Sequence, residues 1–325
     1  IHTADGCSGS VWKVDMSVQR SVLVTGATGL IGKALCRRLI ARGDHVVVFT
    51  RNPMTARTIV PGAVQYIAWD AKPGDWEATL ETVDAVVHLA GASIAGRRWT
   101  PAYKREILES RTLSTRALVD AMARARQRPS VFVCASGIDY YGPRGDEPID
   151  ESAPPGRNFL AQVCVAWEGE ACRAADLGVR TIMIRTGIVL DRHEGALARL
   201  LLPFQLFVGG PILPGTQWWS WIHLDDEVGL ILRCIDDERA IGPFNGVAPE
   251  PQRNRDFSAT LGRVLGRPSW LPLPGFVLRL ILGEMAPALL IERQRAVPAK
   301  ALALGYQFAY PTLEPALRAT LARSS

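Results

Sequence analysis

Short, nearly unbroken apolar runs recur along the chain at SVLVTG (21–26), HVVVFT (45–50), AVQYIAW (63–69), AVVHLAG (85–91), SVFVCASG (130–137) and RTIMIRTGIVL (180–190). Segments of helical spacing lie between most of them, as at 101–126 and 159–177. Runs without polar alternation suit parallel strands covered on both faces. The order predicts an α/β fold, a doubly wound parallel sheet with its ligand site across the carboxyl ends of the strands. Residues 1–15, IHTADGCSGSVWKVD, follow neither period and lack the basic start and apolar run of a signal peptide. They read as an extension or cloning remnant outside the fold, the alternative being an edge strand around SVWKVD. The core then covers 16–190, and 191–325 forms a smaller lobe interleaved with it. The stretch nearest to a membrane span, FVLRLILGEMAPALLI (276–291), is interrupted by Arg279 and Glu284. No membrane partner is expected.

Composition narrows the picture a little. With 325 residues, 48% of them apolar, the chain can bury a large core. Its formal charge of +5 comes mostly from arginines spread along the chain, so nucleic acid is not an expected partner. Six scattered cysteines without a C-x-x-C pair point to a reducing compartment, the cytoplasm, rather than to disulfides or zinc. The five histidines lack ligand spacing, and no metal is expected.

Chemistry begins at VTGATGLIG. Gly26, Gly29 and Gly32 stand at G-x-x-G-x-x-G spacing between a predicted strand and a predicted helix. The first permits a tight turn, the second lets backbone approach a pyrophosphate, and the third packs helix on strand. Gly26, Thr28, Gly29, Leu30, Ile31 and Gly32 are therefore candidate dinucleotide contacts, with helix N–H groups facing the phosphates. The second strand ends in Thr50-Arg51, without the acid that holds a ribose 2′-hydroxyl. Arginine suits a 2′-phosphate, because its fork makes two charge-assisted bonds. A solvated loop arginine would look the same, but the reading favoured is NADP(H).

With VTGATGLIG, HLAG, ASGIDYYG and WIHLDDEVG in this order, the chain resembles the extended short-chain dehydrogenase/reductase superfamily. More narrowly it is similar to the atypical epimerase-like subfamily, NAD-dependent epimerase/dehydratase-like proteins often labelled sugar-nucleotide epimerase or cell-division inhibitor. AGRRWTPAYKREILESR, FLAQVCVAWE, GGPILPGTQWWSWIHLDD, GPFNGVAPEP and the stretch from Gly283 to Leu317 carry that resemblance, which runs from about residue 20 onward. It implies a Rossmann sheet with a smaller C-terminal substrate lobe, and NADP(H) as cofactor. It places Thr50 and Arg51 at the 2′-phosphate and Asp70 at the adenine amino group. Leu89, Ala90 and Gly91 would follow the cofactor through backbone. Glu106 and Arg111 would reach the nucleotide pocket, or one of them a surface ion pair. Val189 would lie against the nicotinamide.

The proton is the difficulty. Hydride transfer at a carbonyl needs a matching proton, which relatives take from a Tyr-x-x-x-Lys pair. Those positions are Leu160 and Cys164 here, and none of the five lysines has tyrosine four places earlier. The partner hydroxyl is displaced too: Gly137 holds its usual place and Ser136 precedes it. Substitute candidates are Tyr140 and Tyr141, Cys164 as a thiol acidified beside a cationic ring, and Ser136. Glu168, one turn past Cys164, faces the same way or braces an arginine. Gln217, Trp218, Trp219 and Trp221 form either a lid over a small-molecule substrate or aromatic glue. His223 is read as structural. The leading expectation is an NADP(H)-dependent oxidoreductase or epimerase-like enzyme with a nonstandard proton route. The alternative is a catalytically silent NADP(H)-binding sensor or partner protein.

Overall fold

A computed structural model describes residues 19–291 and 294–322. Strand β1 (Ser21–Thr25) leads into α1 (Leu30–Arg42), β2 (His45–Thr50), α2 (Pro53–Ile59) and β3 (Gln65–Ala68). The chain then returns through β4 (Ala85–His88), α3 (Pro101–Arg124), β5 (Val131–Gly137), the short β6 (Pro148–Ile149), α4 (Phe159–Cys172) and β7 (Arg180–Thr186). Next come β8 (Ile188–Leu190), α5 (Gly195–Gln205), β9 (Trp218–Trp219), β10 (Trp221–His223), α6 (Leu224–Asp236) and β11 (Gly242–Gly246). Seven strands form one parallel sheet in the order β11-β7-β5-β4-β1-β2-β3. The order reverses between β1 and β4, the place where such sheets open a ligand crevice.

Period two explains the unbroken apolar runs. Val22, Val24, Val46 and Val48 pack with the helical residues Leu35 and Ile231 on one face. Their neighbours Leu23, Val47 and Phe49 join Leu118, Met122 and Trp167 on the other. Both faces are covered, so both must be apolar. Caps fix the helices that border the crevice. Thr100 accepts the Tyr103 N–H at 3.2 Å before α3, and Asn158 accepts the Ala161 N–H at 3.0 Å before α4.

The structure differs from the sequence reading in three places. RTIMIRTGIVL is two strands: Ile188–Leu190 leaves the main sheet and pairs with β10. Gly187 makes the break, since a Cβ there would lie 2.5 Å from the Ser220 carbonyl oxygen. AVQYIAW contributes only β3, an edge strand with no fully buried residue, and edge position is invisible to periodicity. The helix expected over 159–177 ends at Cys172, followed by a 3-10 turn at Ala175–Leu177. The expectations for residues 1–15 lie outside the described residues.

The lobe adds α7 (Asn254–Leu265), α8 (Gly275–Leu282), α9 (Ala299–Ala303) and α10 (Leu313–Ala322). Its own core joins Trp219, Trp221, Phe257, Leu261, Leu313 and Leu317. The lobe is threaded through the core, because α6 and β11 pack into the main sheet. No helix among the described residues is long and apolar enough to cross a membrane.

The β1–α1 turn is where this architecture has least slack. A Cβ on Gly32 would lie 2.2 Å from the Gly26 carbonyl oxygen and 2.7 Å from the Ala27 Cα. Gly32→Ala should therefore lower stability by about 1–3 kcal/mol, the usual cost of overpacking. Urea unfolding should show a lower midpoint at unchanged slope. An unaltered midpoint would show that the turn relaxes freely.

Candidate functional site

The glycine turn is built as a cradle. Gly26 has φ +67°, and a Cβ there would meet the Leu89 carbonyl carbon at 2.7 Å. The tip of β4 is thereby drawn against the turn. Thr25 Oγ1 accepts the N–H groups of Leu89 and Ala90, each at 3.2 Å, and lies 2.7 Å from His88 Nδ1. Gly29 differs: its Cβ would meet only the Gly26 oxygen, at 3.4 Å, so it borders open space. It is also the N-cap of α1, with no side-chain cap. Thr28, Leu30 and Ile31 are part-buried around it. Open backbone N–H groups and missing Cβ atoms fit a pyrophosphate.

At the end of β2, Thr50 is half-buried and Arg51 exposed, with no ion pair to Arg51 among the described residues. Asp70 is exposed and paired with Lys72 (3.3 Å). The Lys72 backbone N–H, chiefly, holds its carboxyl below the usual range. Glu106 and Arg111 part company. Glu106 accepts two bonds from Arg97, at 3.0 and 2.8 Å, on the surface. Arg111 turns inward, 5.1 Å over the Trp167 ring and against Gly91, and burial holds its guanidinium below its ordinary value.

Of these parts, Leu30 and Arg111 border a cavity of about 1070 Å³ at the carboxyl ends of the strands, while Gly29, Thr50, Arg51, Asp70, Glu106 and the β4 tip lie outside its lining. Leu30, Arg111, Ser136, Cys164, Thr186 and Val189 line its core side. Leu160 and Cys164 face into it where the tyrosine and lysine would stand. Burial first, then the charges of Asp139 and Glu168, push the Cys164 thiol up to about 12. That direction opposes an activated thiolate. Asp139 also borders the cavity, a polar group that sequence reasoning passed over inside ASGIDYYG.

The other candidates converge at the cavity floor, where Ser136 lines it, and beneath it. Ser136 Oγ donates to Glu168 Oε1 at 2.7 Å. Glu168 is gripped by Arg185 through Nε–Oε1 and Nη2–Oε2, both 2.8 Å, with side-chain exposures of only 8% and 3%. Burial opposes the Arg185 charge, but the Glu168 hydrogen bonds and charge hold it above its ordinary value. Arg185 also donates to the Tyr141 hydroxyl (2.9 Å), which donates to Asn245 Oδ1 (2.7 Å). Burial carries Tyr141 up to about 12 against the lowering influence of Arg185 and Asn245. The Tyr140 ring stacks under Arg185, 3.4 Å from its guanidinium carbon. Neither tyrosine lines the cavity.

One buried acid escaped the sequence reading. Glu227, in the first turn of α6, accepts the Thr186 hydroxyl at 2.6 Å through Oε1. Its Oε2 is buried without a partner among the described residues. A Cβ on residue 246 would lie 2.5 Å from that oxygen, so only Gly246 leaves it room. Burial pushes the carboxyl up to about 7. The signal was a fourth acidic-or-polar position in HLDDE, too many for one exposed helix face.

Of the tryptophan cluster, Trp219 lines the cavity. Trp218 lies between Arg253 and Arg295, and Trp221 is fully buried with its indole on the Glu250 carbonyl. Gln217 bonds the Ile212 and Leu290 carbonyls and stays outside the lining. His223 Nδ1 accepts the Asp225 N–H (3.1 Å), capping α6, and its ring packs on Tyr310. A separate concavity of about 550 Å³ sits at the amino ends of the strands, between Arg20, Asp84 and Arg180. That is the wrong end of a parallel sheet for a dinucleotide.

Glu227 gives stability a pH signature. The folded carboxyl titrates near 7 and the unfolded one near 4.5, so the native state binds more protons between those values. Stability should fall as pH rises through that window, by roughly 3 kcal/mol in all, then level off. Glu227→Gln should flatten this part of the profile in urea unfolding from pH 4 to 8. An unchanged slope would show that another group carries it.

Similarity to known proteins agrees with this geometry. The model of the NAD dependent epimerase/dehydratase family matches residues 22–245, and a domain of unknown function (DUF1731) matches residues 273–320. The chain is 42% identical to the chloroplastic Epimerase family protein SDR39U1 homolog of Arabidopsis thaliana, over 93% of this chain and 87% of that one. It is 37% identical to Epimerase family protein SDR39U1 of Homo sapiens, over 93% and 99%. The crystal structure of that human protein (isoform2) with NADPH superposes with a TM-score of 0.83 at 36% identity, covering 93% and 100%. UDP-glucuronic acid 4-epimerase from Bacillus cereus, at 18% identity and TM-score 0.74 over 92% and 97%, shares the fold. The chain belongs to the NAD dependent epimerase/dehydratase family.

Proposed function

We propose that this protein is an NADP(H)-dependent oxidoreductase or epimerase-like enzyme acting on a small molecule by a proton route without tyrosine and lysine. One observation carries the reading: a single cavity runs from the glycine turn at Leu30 past Val189 into the lobe at Trp219. The α1 N-terminus and Gly29 hold the pyrophosphate, Thr50 and Arg51 the 2′-phosphate. Leu89, Ala90 and Gly91 form the wall beside it, with Arg111 adding positive charge. Val189 offers an apolar face to the nicotinamide. NADPH, when bound, supplies a hydride.

The chain's own residues must then manage the proton. Tyr140 and Tyr141 are turned away from the cavity, and the Ser136 hydroxyl is committed to Glu168. Cys164 reaches the cavity but holds its proton too tightly to give it up near neutrality. Thr186 is better placed. It lines the cavity, and its hydroxyl lies 2.6 Å from Glu227 Oε1, whose carboxyl is pushed up to about 7. An acid works best with a pKa near the operating pH, which makes protonated Glu227 the preferred source: its proton passes to Thr186 Oγ1 as the Thr186 hydroxyl proton passes to the substrate, leaving Glu227 as carboxylate. The engagement of both tyrosines with Arg185, outside the cavity lining, also favours a second reading, a silent NADP(H)-binding protein.

Two measurements test this. Fluorescence titration should show NADPH binding at least tenfold tighter than NADH, about 1.4 kcal/mol. Arg51→Ala should erase most of that difference, and equal affinities in the unmutated protein would sink the assignment. Single-turnover NADPH oxidation over a panel of carbonyl compounds and sugar nucleotides separates enzyme from silent binder. Glu227→Gln should slow turnover by roughly 10²-fold or more while NADPH affinity holds. Tyr140→Phe should keep its rate. A full rate in Glu227→Gln refutes the proton route.

A further inference from the structure

On the lobe side of the cavity, large apolar side chains stand in water. Residues 206–213 and 268–275 run side by side there. The Leu271 and Leu273 N–H groups donate to the Gly209 and Pro211 carbonyls, at 3.3 and 2.8 Å, and the Leu213 N–H donates to the Leu273 carbonyl at 2.9 Å. The indole of exposed Trp270 donates to the Phe207 carbonyl at 3.0 Å. Helix α8 follows directly, with Leu278 buried and Phe276 and Leu280, one turn apart, facing out. Leu206, Phe207, Trp270, Leu271, Phe276 and Leu280 are thereby exposed together, Leu280 by 78%. Single exposed apolar residues need no explanation, but a continuous group from three neighbouring segments marks a surface of interaction.

The charges in these segments have one sign. Residues 199–213 and 263–283 carry Arg199, Arg263, Arg267 and Arg279 and no acid, and the next acid, Glu284, is bonded to Lys104. Arg263 is paired with Glu314. The other three have no ion pair among the described residues, and Arg267 lies 4.5 Å over the exposed Phe207 ring. A second copy seated face to face would set arginine against arginine. Val208, Leu271 and Leu273 are exposed and also line the cavity, so a protein fitted to this face would plug the cavity's mouth with fixed side chains. A fluid lipid surface does neither, and its headgroup boundary takes up arginines and apolar rings together. We propose that this face docks on an anionic lipid bilayer, Trp270, Phe276 and Leu280 entering the headgroup boundary and Arg267 and Arg279 meeting the anionic headgroups. The contact is peripheral. The eight residues of α8 reach about 12 Å, against roughly 30 Å of hydrocarbon core.

Co-sedimentation of the whole chain with vesicles tests it, one set of phosphatidylcholine alone and one of phosphatidylcholine mixed with phosphatidylserine. Binding should favour the phosphatidylserine vesicles and weaken as salt rises, because exposed charges are screened. Arg279→Gln should weaken it about fivefold, the usual effect of one arginine at such a surface. Phe276→Ser combined with Leu280→Ser should weaken it about tenfold or more. All three positions are exposed and outside the cavity lining, so melting temperatures should hold. Ile241→Ser, at an exposed apolar position just before β11 and at the opposite end of the sheet, should leave vesicle binding as it is. No binding to phosphatidylserine vesicles at low salt overturns the proposal. So does equal binding to both vesicles, or binding that ignores the substitutions in α8. A dimer, seen by light scattering, that dissociates in the Phe276 and Leu280 double variant and binds no vesicles assigns the face to a second copy instead.

Discussion

The site is organised around a buried ion pair, Arg185 with Glu168. Two charge-assisted bonds of 2.8 Å join β7 to α4, Ser136 ties β5 to the same carboxylate, and Tyr141 extends the network to Asn245 on β11. Taking two charges out of water costs several kcal/mol per ion, and only complete hydrogen bonding offsets that. The network is therefore all or nothing. Losing one partner strands the other charge, at about 3–5 kcal/mol. Glu168 of α4 consequently serves structure below the cavity, while Leu160, Val163, Cys164 and Trp167 of the same helix line it.

How much of this was legible depends on the range of the interaction. The glycine spacing and the strands from β1 to β5 are local, so the sequence carried them. Glu168 was read as facing the cavity or bracing an arginine, but nothing local identified that arginine as Arg185, seventeen positions away inside an apolar run. Gly187 looked like one more strand residue, because its lack of a Cβ matters only against Ser220, which arrives from another element. The tryptophans of TQWWSW were alike in sequence, and pleating sent them to a surface arginine pair, the cavity wall and the lobe core. Glu106 and Arg111, five apart, could not share one helix face, and the ambiguity was resolved only by what surrounds them.

The same network constrains chemistry. With Tyr141 locked between Arg185 and Asn245, and Ser136 committed to Glu168, hydroxyls that look catalytic in sequence become supports. Polar side chains that do border the cavity, among them Arg111, Ser136, Asp139 and Thr186 from the core and Arg199 from α5, bring charge to more than one of its walls.

Glu227 is the one group this arrangement does not need for folding. It sits in a helix turn whose neighbours Leu224, Val228 and Ile231 are core residues, and an apolar side chain there would satisfy the packing. Instead a carboxyl is buried, one oxygen on Thr186 and the other without a partner, in a space that exists because residue 246 has no Cβ. Burial of an unpaired polar atom costs about 1–3 kcal/mol, a large fraction of the stability of a domain. Departures from good packing of this size concentrate where function requires them. Here the departure lies one hydroxyl from the cavity. A carboxyl pushed up to about 7 can both hold a proton and release it at neutral pH, which Tyr141 and Cys164, each pushed up to about 12, do not. The energetic cost and the chemical need therefore point to the same residue.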